Sequence, residues 1–218
     1  IPTEFRFVAT YKNGTWSKGE LVTNSEIQLH EGSPALHYGQ QCFEGMKAQT
    51  AKDGRILLFR PDLNAERMQQ SSTRLSMASV PKELFLHGVA QAVRANYRFI
   101  PPYGSGAVLY VRPLLIGTGE NLGLRPAPEY EFRVFVSPVG PYYKGDGLSL
   151  IKLAVTDYDR AAPCGTGAVK AGGNYAGGFL ATKQAKELGA NEALYLDSET
   201  KTFLEEAGSA NIIVSLAG

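Results

Sequence analysis

Cysteine is scarce in this chain of 218 residues: Cys42 and Cys164 are the two present, too few for a disulfide framework or a cysteine-rich zinc site. Histidine is hardly more plentiful. His30, His37 and His87 lack the i, i+4 spacing of a helical metal site, so no metal centre is expected. Neither sign of charge is in excess, with 22 Lys and Arg against 21 Asp and Glu. That balance gives no support to a nucleic-acid or polyanionic partner. No apolar run approaches the ~18 residues of a membrane span, and no membrane partner is expected. The opening Ile1-Pro-Thr-Glu-Phe has neither the basic nor the apolar region of a signal peptide, and a reducing, cytoplasmic compartment is the default expectation. What remains is an ordinary globular composition, 44% hydrophobic, 20% charged and 10% aromatic, in a chain long enough for one large domain or two smaller ones.

The first third reads as strands and turns. Phe5-Arg-Phe-Val-Ala-Thr-Tyr alternates in character, and Asn13-Gly14 is a hairpin signal ahead of Thr15-Trp16. Ala51-Lys-Asp-Gly54 marks a second turn, between a strand near Gly45–Thr50 and the run Arg55-Ile-Leu-Leu-Phe. After Arg60 the pattern changes. Leu63, Met68 and Leu75 in a polar background predict a helix with Pro61 in its first turn. Pro81 opens a second helix carrying Leu84, Phe85, Val89, Val93 and Tyr97, stopped by Pro101-Pro102. Two strands are then expected, Ala107–Arg112 and Phe132–Val136.

Residues 138–147 have linker composition, Pro-Val-Gly-Pro-Tyr-Tyr-Lys-Gly-Asp-Gly. Beyond them come an apolar strand, Leu150–Val155, a Gly/Ala-rich loop, and a helix from about Tyr175 to Leu188 ending at Gly189. Strands Glu192–Asp197 and Thr202–Glu206 flank a turn, and Asn211–Leu216 starts another strand. A module ending on an apolar strand is not closed, and the sequence is expected to be a fragment of a longer chain.

The most unusual stretch is Gly165-Thr-Gly-Ala-Val-Lys-Ala-Gly-Gly-Asn-Tyr. A single Lys stands among small residues just ahead of a helix. Small neighbours let a bulky ligand lie against the backbone, and a crowded, partly desolvated Lys can form Schiff bases. Taken alone, the stretch also fits a Gly-rich loop with an exposed Lys. It is not a phosphate loop, since no Gly immediately precedes Lys170 and Ala171 stands in place of Ser or Thr.

Five blocks give Lys170 its context: His37-Tyr-Gly-Gln-Gln-Cys-Phe-Glu-Gly-Met-Lys, Phe59-Arg-Pro-Asp-Leu-Asn-Ala-Glu-Arg-Met, Leu109-Tyr-Val-Arg-Pro, Val169-Lys-Ala-Gly-Gly-Asn-Tyr and Glu206-Ala-Gly-Ser-Ala-Asn. In their order and spacing the chain resembles the branched-chain amino acid aminotransferases, fold-type IV pyridoxal-phosphate enzymes. The resemblance implies pyridoxal 5′-phosphate as cofactor, a homodimer, and Lys170 as the catalytic residue that carries the cofactor covalently and then shuttles the substrate's Cα proton. Glu206 falls where the family has the carboxylate that keeps the pyridine nitrogen protonated. Strand alternation would turn its neighbour Glu205 the other way. Arg67 matches the Arg that grips the phosphate, and Tyr175 the Tyr that hydrogen-bonds the phenolic oxygen. Ser209 stands where the family has a small hydroxyl or Gly near the cofactor.

On the substrate side, Tyr38, Phe43 and Tyr110 match aromatics of the side-chain pocket. Arg112 is placed to accept the distal carboxylate of glutamate. Cys42 reads as an inert buried thiol. Ile213 departs from an aromatic in the family pattern, and the family's chain continues well beyond Gly218. The expected architecture is α+β / α/β: a two-domain fold-type IV aminotransferase, with residues 1–137 as a small α+β domain, 138–149 as the interdomain loop and 150–218 as the first, incomplete part of the large cofactor-binding domain. The implied reaction is reversible transamination of leucine, isoleucine or valine with 2-oxoglutarate, acting on small-molecule amino and 2-oxo acids. Rivals are a D-amino-acid aminotransferase or an aminodeoxychorismate lyase of the same fold, or a non-catalytic module that binds a phosphorylated ligand.

Overall fold

The computed structural model describes residues 2–141 and 149–216. The chain divides into two units, Ile1–Tyr142 with Val169–Ala171, and Tyr143–Ala168 with Gly172–Gly218.

The first unit is built on an antiparallel sheet. Strand β1 (Arg6–Lys12) turns back into β2 (Thr15–Trp16), with Lys12 opposite Thr15. Asn13 and Gly14 take φ of 51° and 80°, both positive as a two-residue hairpin with right-handed twist demands. Next come β3 (Glu20–Val22), the short helix α1 (Pro34–His37), β4 (Gln41–Phe43), β5 (Met46–Thr50) and β6 (Ile56–Leu58). Helices α2 (Pro61–Arg74) and α3 (Lys82–Ala95) precede the long strands β7 (Val108–Thr118) and β8 (Glu129–Val139). The sheet runs β2-β1-β8-β7-β5-β6, with β3 also on β1 and β4 also on β7.

Alternation decides which residues fill the core. Phe7 and Ala9 of β1, Leu109, Val111 and Leu115 of β7, and Phe132 and Val134 of β8 are buried. Helix α3 covers β1 and β8, where Phe85 stacks on Phe132 at 5.7 Å between ring centres. Each such aromatic stabilises the unit by roughly 1.5–3 kcal/mol relative to exposure. Helix α3 ends at Ala95, earlier than Pro101 suggests, because the buried Asn96 turns its amide onto Ala92 and Phe5 carbonyls at 2.8 and 2.9 Å.

Both long strands run past the ends expected for them, Arg112 and Val136, and each passes through a proline. Pro113 lies where β7's second neighbour changes: Leu109–Val111 face β5 and Leu114–Ile116 face β4. A missing N–H is tolerated at such a gap. Pro138 pairs with Leu109 and Val139 with Val108, so the start of the expected 138–149 loop is strand; residues 142–148 of that loop lie outside the described residues. Leu63 does not join the buried stripe of α2, which consists of Ala65, Met68, Ser71 and Ser72.

The second unit holds a three-stranded sheet, β11-β10-β9. Strand β9 (Leu153–Thr156) pairs in parallel with β10 (Glu192–Leu196), which pairs antiparallel with β11 (Leu204–Ala207). A parallel pair requires a crossover, and the helices α4 (Gly172–Ala176) and α5 (Phe179–Glu187) lie between the two strands in sequence. The expected single helix over Tyr175–Leu188 is therefore two, interrupted at Gly177-Gly178, the weakest helix formers in the run. Ala181 and Ala185 of α5 pack on Ala193 and Tyr195, small side chains that let helix and sheet approach closely. The first strand begins at Leu153 and not at Leu150, and residues 211–216 form no strand. Residues 169–171, expected in the large domain, group with the first unit.

Candidate active site

In the first unit the residues around Lys170 are held by backbone. Ala171 bridges to Cys42 in antiparallel fashion, Phe43 N–H donates to the Lys170 carbonyl at 3.1 Å, and Lys170 N–H donates to Ser71 Oγ of α2 at 3.0 Å. These bonds fix the lysine's Cα on strand β4. Its side-chain ammonium then lies 4.7 Å from the centre of the Phe43 ring.

Strand geometry explains what else meets there. Tyr110, Arg112 and Leu114 share one face of β7, the alternate residues Leu109 and Val111 being buried in the core. Phe43 stands opposite Leu114 and so joins that face. The Arg112 guanidinium carbon lies 4.5 Å from the Phe43 ring centre and 5.2 Å from that of Tyr110. Arg112 Nη2 also donates to the Tyr110 hydroxyl at 3.0 Å. Gly45 leaves room for this arrangement, because a Cβ there would fall 2.2 Å from Tyr110 Oη.

Arg67 projects from α2 with its side chain half exposed. Its Nε and Nη2 donate to Glu44 Oε1 and Oε2 at 2.6 and 2.7 Å. Glu44 is fully buried and also accepts Asn64 Nδ2 at 2.7 Å. Cys42 is buried as well; burial first, and the neighbouring Glu44 second, push its thiol up to about 12, which makes it inert as a nucleophile near neutral pH.

Tyr38 does not join the Phe43–Tyr110–Arg112 group. As the residue that ends α1, it donates its hydroxyl to the Leu122 carbonyl at 2.6 Å. It lines a separate cleft of about 310 Å³ with Pro34, Gln40, Leu75 and Leu124.

In the second unit the organising residue is Arg160, which lies just past the carboxyl end of β9. It is buried at 8% exposure. Its guanidinium carbon is 4.7 Å from the centre of the Tyr175 ring and 6.0 Å from that of Tyr195. Arg160 Nη1 donates to the Asn174 carbonyl at 2.8 Å, and Nε lies 3.8 Å from Glu206 Oε2. Glu206 pairs directly with the buried Tyr195, whereas Glu205 falls at an irregularity in the β10–β11 register and is exposed. The hairpin leading into β11 is closed by Asp197, whose carboxylate accepts the Phe203, Thr200 and Thr202 amides and is held well below its usual range by those bonds. Ser209 Oγ donates to Glu192 Oε1 at 2.7 Å; Glu192 Oε2 is buried without a hydrogen-bond partner among the described residues.

Sequence reasoning singled out Lys170, Arg67, Tyr175, Glu206 and Ser209 but missed Glu44 and Arg160. The clue to Arg160 was its position at the carboxyl end of a strand in a parallel pair, where α/β sheets bind ligands. The clue to Glu44 was a lone carboxylate between two strands.

Among the described residues no group of His, Cys, Asp or Glu could hold a metal ion. In the first unit an amine can link to a carbonyl and a guanidinium fork matches a phosphate; in the second, taken by itself, a phenol can hydrogen-bond an oxyanion and a carboxylate can hold a protonated ring nitrogen.

The family model described as amino-transferase class IV matches residues 41–218. The chain is 55% identical over 216 residues to the branched-chain-amino-acid aminotransferase of Haemophilus influenzae, covering 97% of this chain and 63% of that protein. It is 55% identical over 213 residues to the enzyme of the same name from Helicobacter pylori, with 97% and 62% covered. The chain thus spans rather less than two thirds of these relatives' length. Among solved structures, the Escherichia coli branched-chain amino acid aminotransferase superposes with a TM-score of 0.76 at 24% identity, over 95% of this chain and 63% of that one. The T.th. branched-chain amino acid aminotransferase, complexed with N-(5′-phosphopyridoxyl)-L-glutamate, gives a TM-score of 0.71 at 26% identity, with 95% and 62% covered.

Proposed function

The chain belongs to the class IV amino-transferase family, and from that membership we propose that the whole protein is a pyridoxal-phosphate-dependent branched-chain aminotransferase. It exchanges the amino group of L-leucine, L-isoleucine or L-valine with 2-oxoglutarate, giving the branched-chain 2-oxo acids and L-glutamate. The observation that carries the reading is the 55% identity to two relatives of that name across nearly all of this chain.

By the family's pattern Lys170 would be the covalent anchor, Arg67 would hold the phosphate, Tyr175 the phenolic oxygen and Glu206 the ring nitrogen, with Ser209 as a further polar neighbour. When bound, pyridoxal phosphate supplies a ring that withdraws the electron pair left on the substrate's α-carbon. Lys170 would take the proton from that carbon, and Glu206 would hold the proton on the ring nitrogen. Arg160 lies 3.8 Å from Glu206 Oε2 and over the Tyr175 ring, and so fixes the tyrosine beside the carboxylate.

For the substrate, Phe43 and Tyr110 offer aromatic faces to an aliphatic side chain, and Arg112 offers a guanidinium to the distal carboxylate of glutamate. The proposed pocket rests on these three residues and does not include Tyr38, whose contacts lead to Leu122.

The same reading takes the protein to be a cytoplasmic homodimer. Cys42 and Cys164 are free thiols, as a reducing compartment leaves them, and the edge strand β6 leaves Leu57 exposed and Phe59 beside it 88% exposed, an apolar edge that a second copy would cover. No helix among the described residues is long and apolar enough to cross a membrane.

The test is a donor comparison with full-length protein, pyridoxal phosphate and 2-oxoglutarate. The three branched-chain L-amino acids should all react, at rates separated by no more than the ~1–3 kcal/mol that a methylene is worth in an apolar pocket. L-Aspartate should be poor. Preference for D-alanine over L-leucine would reject the branched-chain assignment.

A further inference from the structure

Glu44 is the one fully buried carboxylate in the first unit's described core. Carboxylates are almost never buried to this degree unless paired, and burying a charge costs more than its ion pair returns when a well-packed apolar alternative exists. Its partners are specific. Arg67 reaches it through two charge-assisted bonds of 2.6 and 2.7 Å, and Asn64, three residues earlier on α2, donates at 2.7 Å. The backbone beneath is fixed, because Glu44 N–H donates to the Pro113 carbonyl at 2.8 Å.

Arg67, by contrast, has a side chain 51% exposed, and a long side chain with that much open surface ordinarily samples many rotamers. A guanidinium is planar, so bonding Nε and Nη2 to one rigid carboxylate orients its whole plane and turns the edge carrying Nη1 away from Glu44. We propose that Glu44 is a positioning residue that aims the Arg67 fork at the phosphate of the bound cofactor. This rests on the reading of Arg67 as the phosphate-binding group.

The arrangement has a distinctive consequence. Were Glu44 only a counter-charge, removing it would leave Arg67 more positive toward a phosphate and tighten binding. If it aims the fork, removing it weakens binding of the phosphate and leaves the rest of the cofactor's contacts alone. Pyridoxal 5′-phosphate and pyridoxal share the same carbonyl and ring, so the ratio of their dissociation constants isolates the phosphate.

The experiment measures that ratio by absorbance titration of the full-length protein and its Glu44→Gln, Arg67→Lys and doubly substituted variants. Gln keeps the shape but offers one acceptor and sets an amide N–H₂ against the guanidinium. Arg67→Lys keeps the charge without the fork and should lower the phosphate preference. Glu44→Gln should lower it about tenfold in the wild-type background, the scale of losing one charge-assisted bond, and less than about twofold in the Arg67→Lys background. Equal losses in both backgrounds, an unchanged ratio, or a rise would overturn the proposal while leaving Arg67's role intact. A full phosphate preference in Arg67→Lys would overturn the reading of Arg67 itself, and the proposal with it. If Glu44→Gln does not fold, Glu44→Asp withdraws the carboxylate by one methylene with charge retained. It should give the same background-dependent loss at smaller size, and an unchanged ratio there would equally overturn the proposal.

Discussion

Phe43 and Lys170 are joined twice: the Phe43 N–H donates to the Lys170 carbonyl at 3.1 Å, and the Lys170 ammonium lies 4.7 Å from the Phe43 ring centre. The backbone bond fixes where the lysine starts and the ring fixes where it ends. Phe43→Leu keeps the first and removes the second. A cation over an exposed ring is worth about 0.5–1 kcal/mol, and the lost aromatic wall adds to it. Steady-state kinetics with L-leucine should show kcat/KM lowered about three- to tenfold. A loss as complete as that of Lys170→Ala would mean that Phe43 does more than supply a face.

Glu206 shares its face with Tyr195 and lies beside Arg160, while Glu205 falls at the register irregularity. Glu206→Gln should therefore lower kcat by about 10²-fold or more, with a much smaller effect on cofactor retention. Glu205→Gln should change either by less than about threefold. The reverse order in a side-by-side kcat measurement would place the ring-nitrogen carboxylate one residue earlier.

Arg112 stacks on Phe43 and donates to the Tyr110 hydroxyl. Arg112→Met should slow the glutamate half-reaction at least about tenfold more than the leucine half-reaction, because only glutamate brings a second carboxylate. Gly45→Ala should act in the same direction, since its methyl would force Tyr110 Oη from a position 2.2 Å away. Single-turnover rates for both amino acids decide the matter. Equal losses would show that Arg112 supports the fold or the α-carboxylate.

Cys42 and Cys164 should behave oppositely. Cys164 is exposed, whereas Cys42 is buried with its thiol pushed up to about 12. Iodoacetamide at mildly alkaline pH should alkylate Cys164 in the folded protein and reach Cys42 only after unfolding. Mass spectrometry showing Cys42 labelled first would contradict the packing of β4 against β7.

The parts of the fold legible in the sequence were those set by local chemistry. Asn13-Gly14 specified a hairpin, Pro61 the first turn of α2, and period-2 alternation the buried face of β1. Misread elements depended on neighbours. The strands expected to stop at Arg112 and Val136 run on through Pro113 and Pro138, each accommodated by what lies across the sheet. Asn211–Leu216 has the composition of a strand, but a strand exists only with a pairing partner, and among the described residues none pairs with it. The candidate site shows the same division. Lys170, Arg67, Tyr175 and Glu206 stood in recognisable blocks. Glu44 and Arg160 are marked chiefly by tertiary partners: Arg67 is 23 residues from Glu44, and Glu206 is 46 from Arg160.

The most direct test asks which residue carries the cofactor. Full-length protein loaded with pyridoxal phosphate is reduced with borohydride, digested and mapped by mass spectrometry. The phosphopyridoxyl group should be found on the peptide containing Lys170, with the yellow colour bleached by reduction, and Lys170→Ala should bind the cofactor without being labelled. Label on another lysine, or a Lys170→Ala protein that transaminates at the ordinary rate, would contradict the assignment.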